Sequence, residues 1–78
     1  MVEILGHSYG ATVGSDIDRD GMYLELADDA KVVIAEIFYS DDTGSMTFTS
    51  HRADLPLPLI EWLIAQAKVR LAPVGGGR

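Results

Sequence analysis

The sequence predicts an α+β domain, in which a three- to four-stranded antiparallel β-meander is followed by one C-terminal α-helix packed on one face (ββββα). Three observations predict it. Residues 22–26 and 31–39 have the alternation, or the β-branched and aromatic density, of strands. A turn-forming stretch, Ser40-Asp41-Asp42-Thr43-Gly44, separates the second of these from a third strand-like piece at residues 45–50. Residues 57–71 then hold no glycine and repeat apolar side chains at helical spacing. Seventy-eight residues with no cysteine leave room for one small domain without disulfides.

Taken in order, residues 2–5 and 9–13 are short β-prone pieces interrupted by Gly6, Gly10 and Gly14, which suggests a bent or bulged first strand. Met22, Leu24 and Leu26 alternate with Tyr23 and Glu25, the period of a half-buried strand. After the Ala27-Asp28-Asp29-Ala30 turn comes the longest strand. Val33, Ala35, Ile37 and Tyr39 form one of its faces, and Val32, Ile34 and Phe38 with Glu36 form the other. A strand apolar on both faces is expected to be central and covered on both sides. Gly44 suits the left-handed position of a hairpin turn, after which Met46 and Phe48 alternate with Thr47 and Thr49. The helix is expected from about Pro56 to Leu71, starting at Asp54 or at the Leu55-Pro56 step and stopped by Pro73. One domain over residues 1–72 and a frayed tail over 73–78 complete the organisation.

At 100° per residue, Leu57, Ile60, Leu63, Ile64, Ala67 and Leu71 form a stripe that is expected to face the sheet. Leu59, Trp62 and Val69 gather on a second stripe. One sheet is not expected to cover both, and each large side chain left wet forfeits roughly 1.5–3 kcal/mol. A homodimer is therefore expected, with a candidate binding surface of Leu59, Trp62 and Val69 together with Tyr39 and Phe38 at the end of the long strand. The alternative is that the N-terminal segment folds over this surface.

The formal charge of −6 repels phosphate backbones and anionic lipid. No apolar run approaches the roughly 18–20 residues of a membrane span, and the start has no basic segment leading into a long apolar one. A soluble cytoplasmic protein without a membrane partner is the expectation.

Two short motifs bear on chemistry. Gly6-His7-Ser8-Tyr9-Gly10 resembles the nucleophile elbow of α/β-hydrolases, which requires a strand-to-helix turn and a downstream acid and histidine. The segment after it makes a poor helix, and the bland reading is glycine-permitted bends in an edge strand. Asp16-Ile17-Asp18-Arg19-Asp20-Gly21 resembles the first half of an EF-hand calcium loop, but Ala27 stands where the bidentate glutamate belongs. A solvated turn accounts for the same residues. His7 and His51 lack metal-ligand spacing, and Glu36 is expected on a partly solvated face or paired with Arg52.

Element order and the hairpin over residues 41–44 make residues 21–70 similar to the single-stranded-DNA-binding domain of transcriptional coactivators and to the whirly proteins. The resemblance implies a dimer that tracks phosphates with basic strands, whereas the strand region here offers only Lys31 and Arg52. The expected function is a small acidic, non-enzymatic interaction module binding a partner protein, a basic one by charge, or a small apolar ligand. No catalytic residue, metal ligand or cofactor is assigned. Single-stranded nucleic-acid binding and calcium binding are the alternatives.

Overall fold

Each polar segment reverses the chain, so neighbouring strands in sequence are neighbours in space. The computed structural model describes residues 1–71 and contains five antiparallel strands in the order β1-β2-β3-β4-β5. They are β1 (Val2–Ile4), β2 (His7–Asp16), β3 (Gly21–Ala27), β4 (Val33–Ser40) and β5 (Met46–Ser50), followed by α1 (Leu57–Arg70). The fold is α+β with a single helix, as expected. The tail expected at residues 73–78 lies outside the described residues.

The strand count corrects the sequence expectation of three to four. Instead of one bent strand, the first sixteen residues form two, joined by a two-residue turn in which Leu5 (φ 52°) and Gly6 (φ 82°) are both left-handed. Such turns match the twist of the flanking strands. Glycine lowers the strand propensity of β2, but Gly14 lies opposite Tyr23 of β3, whose ring occupies the space a side chain at position 14 would fill. The cross-strand aromatic thereby supplies the packing that the glycine lacks.

Register puts Val13, Leu24 and Ile37 in one row and Ala11, Leu26 and Ala35 in the next, all on the helix side. Leu24, Leu26 and Ala35 are wholly buried there, and Tyr9 of β2 joins them. A register shift between Leu26 and Ala27 admits Ile34 as an extra residue on β4. Both Ile34 and Ala35 are consequently buried, which strict alternation would forbid. β4 is an interior strand, but only its helix side is covered. The cover expected on its second face is replaced by one arginine, described below.

The helix has Pro56 at its N-cap without a side-chain cap, Pro58 in its first turn, and Lys68 and Arg70 in its last. Asp54 precedes it with φ 59° and does not cap it. The inward stripe is Leu59, Leu63 and Ala67, continued by Leu71. Relative to the stripe expected from sequence, the helix is turned by about 40° at 100° per residue. Leu57 is 68% exposed and Ile64 41%, so neither is a core residue. Val2 and Ile4 of the additional β1–β2 hairpin, and Trp62 of the helix, all pack against the core. Arg70 Nη1 donates to the Ala11 carbonyl at 3.4 Å, marking where the helix C-terminus meets β2.

Candidate functional site

The surface nominated from sequence does not come together. Leu59 is fully buried, and Trp62 is half-buried against the core. Val69 is 80% exposed. Tyr39 packs toward the helix side, whereas Phe38, one residue earlier, belongs to the opposite face of the sheet. The expectation that Leu59 and Trp62 form an outer stripe is thus corrected: Leu59 belongs to the core and Trp62 packs against it.

The open face of the sheet is organised by Arg19, in the β2–β3 turn. Its guanidinium lies 4.2 Å from the Phe38 ring centroid and donates to both carboxylate oxygens of Glu36, at 3.2 and 2.9 Å. Its Nε and backbone N–H are also taken by Asp16. Glu36 lies directly opposite Glu25 on β3, a like-charge pair that the arginine offsets. The partner of Glu36 is therefore Arg19, not Arg52, which instead pairs with Asp28 at 2.8 Å. Arg19 was the residue that sequence reasoning left unused, because its partner is 17 positions away.

The Asp16 carboxylate, first in the calcium-like motif, is occupied by Arg19, which holds its pKa below the ordinary value. Among the described residues no group of three His, Cys, Asp or Glu side chains converges to hold a metal ion. Ser8 is the second residue of β2, paired with Glu3 of β1, so the hydrolase-like motif has no strand-to-helix turn. His51 follows β5, three strand spacings of about 4.8 Å from β2.

Asp28 shapes the β3–β4 turn. Its Oδ1 accepts from the backbone N–H groups of Ala30 and Val32, and its Oδ2 accepts from Arg52. The Arg52 bond first, and the Val32 N–H next, lower its pKa from the usual 3.8. A carboxyl lowered in the folded state contributes stability that is fully present above its unfolded pKa and drains as pH falls through the folded one. In thermal melts below pH 3.8, Asp28→Asn is expected to show a shallower loss of Tm with acid than the wild type. Equal slopes would remove Asp28 as a source.

The remaining distinctive surface is the edge at β5. β1, the other edge, is short and carries Glu3, two devices that blunt an edge. β5 has neither charge nor proline between Met46 and Ser50, and all five residues are exposed. Two grooves flank it. One, of about 210 Å³, lies between β5 and the helix and includes Met46, Phe48, Ile64 and Ala67. The second, of about 560 Å³, continues past Phe48 to His51, Arg52 and Ile60. Phe48 lines both and is 46% exposed.

No family model matches this chain, and no curated protein or solved structure matches it either. Among the described residues no helix is long and apolar enough to cross a membrane.

Proposed function

We propose that the chain is a non-enzymatic interaction module that takes up an extended segment of a protein along β5, with the apolar groove beside α1 receiving alternate side chains. The observation that carries this reading is an unblunted edge strand, exposed at all five residues, lying directly beside an apolar groove. An incoming strand gains affinity from main-chain hydrogen bonds and selectivity from pockets for every second side chain. A small ligand suits the apolar groove less well, since about 210 Å³ falls below the roughly 300–1,000 Å³ of small-molecule pockets. Nucleic acid is disfavoured on the open face, where Glu25, Glu36 and Asp16 outnumber Arg19.

The test is selection from a displayed library of random extended peptides. Binders are expected to perturb the amide signals of Met46, Phe48 and Ser50 and to lose at least tenfold in affinity against Phe48→Lys, which adds a charge to the edge. Binders unaffected by that substitution, or none at all, would sink the proposal.

A further inference from the structure

We infer that the open face of the sheet carries a second site, near the β3–β4 turn, for a small organic cation: an alkylammonium or alkylguanidinium whose head is held by Glu25 and whose short apolar body lies over Gly10 and Ala27. The site is independent of the β5 edge. Even-numbered residues of β2 and odd-numbered residues of β3 face away from the helix, because Ala11, Val13, Leu24 and Leu26 face toward it. Two successive rows on that open face differ in kind. Thr12, Glu25 and Glu36 make one, and Gly10, Ala27 and Val33 make the next. The second row is low, with no side chain at Gly10 and a single methyl at Ala27; an added Cβ at Gly10 would meet nothing within 4 Å. The hollow over it measures about 510 Å³ and is lined also by Ser8, Thr12 and Glu25. That volume lies within the roughly 300–1,000 Å³ of small-molecule pockets.

Glu25 decides the class of ligand. It is half-buried, and its neighbour in the row, Glu36, has both oxygens occupied by Arg19. Ion pairs among the described residues use Asp16, Glu36 and Asp28, each with an arginine, and Glu25 enters none of them. Asp29 and Lys31 line the hollow with opposite charges, and neither Lys31 nor Met1 forms an ion pair with Glu25. An anion would meet two carboxylates in one row, and a neutral apolar molecule would strip water from Glu25 without replacing its hydrogen bonds. A divalent ion needs more oxygens than are assembled, since among the described residues no three His, Cys, Asp or Glu side chains converge.

An organic cation needs only the one carboxylate. Its N–H groups donate to Glu25, and its charge offsets the repulsion between Glu25 and Glu36. The chain meets the same need at Glu36 with the guanidinium of Arg19. Thr12, directly opposite Glu25, carries a hydroxyl that can accept a further N–H, and carbons behind the head rest on Ala27 and Val33.

The experiment titrates the full chain with n-butylammonium and with n-butylguanidinium at about 0.15 M salt, where exposed charges are screened, and follows the backbone amides by NMR. Saturable shifts are expected at Gly10, Thr12, Glu25 and Ala27, with a Kd in the millimolar range that suits so few atoms. Butyrate and butyramide should leave those amides in place. Glu25→Gln, which keeps the shape and removes the charge, should weaken binding at least about tenfold. Gly10→Val, which fills the floor and touches no charge, should do the same; if its melting shows a disturbed fold, Ala27→Leu fills the same floor from β3. Shifts that never saturate, that survive Glu25→Gln or a filled floor, or that butyramide reproduces would overturn the inference.

Discussion

Leu59→Ala is expected to lower the unfolding free energy by about 3 kcal/mol, whereas Leu57→Ala, two residues away on the same helix, should change it by less than about 0.5 kcal/mol. The asymmetry follows from burial. Leu59 is wholly enclosed by the sheet and the helix, so truncation leaves a cavity in addition to the lost transfer energy; Leu57 is 68% exposed. In a domain of this size each kcal/mol moves Tm by roughly 4–8 °C, so Leu59→Ala should melt at least about 12 °C lower. Chemical denaturation of the two variants side by side is sufficient. Equal losses, or a larger loss for Leu57, would mean that the helix presents its other stripe to the sheet.

Gly21→Ala is the second large effect, with an expected cost of about 2–3 kcal/mol from a single methyl group. A Cβ at position 21 would fall almost on the Tyr39 carbonyl oxygen and 2.6 Å from Phe38 Cζ. The ring could swing aside, at the loss of its contact with Arg19. The carbonyl belongs to β4, which is held in register against β3 by Gly21 opposite Ser40, and it can retreat only by distorting that ladder. Gly10→Ala provides the control, since an added Cβ there meets nothing within 4 Å. Comparable midpoints for the two variants in urea would show that the β3–β4 pairing tolerates the intrusion.

The positions at which sequence reading succeeded and failed have a common physical origin. The strand at residues 22–26 and the turn with Gly44 at φ 73° were legible because each depends on residues within a few positions of one another. The helix limits were legible for the same reason, since proline and glycine punctuate locally. β1 and β2 were not, because Gly10 and Gly14 depress local strand propensity. What restores the second of these positions is the Tyr23 ring, nine residues further on and across the ladder. The Arg19–Glu36 pair was equally invisible, as nothing in either residue's neighbourhood points to the other. Of the candidate surface, Phe38, Tyr39, Leu59, Trp62 and Val69 were chosen for being apolar, a property shared by core and surface alike.

The segments that would become strands, the turns that would join them and the stretch that would become a helix were written in the chain itself, because periodicity and turn chemistry act over a handful of residues. Which side of the helix meets the sheet was decided only in the assembled fold, where Leu59, Leu63 and Ala67 are the buried residues. That helix is apolar around most of its circumference, so its orientation follows the surface offered to it. The same assembly left β5 at an uncovered border, a consequence of strand order that no single segment encodes.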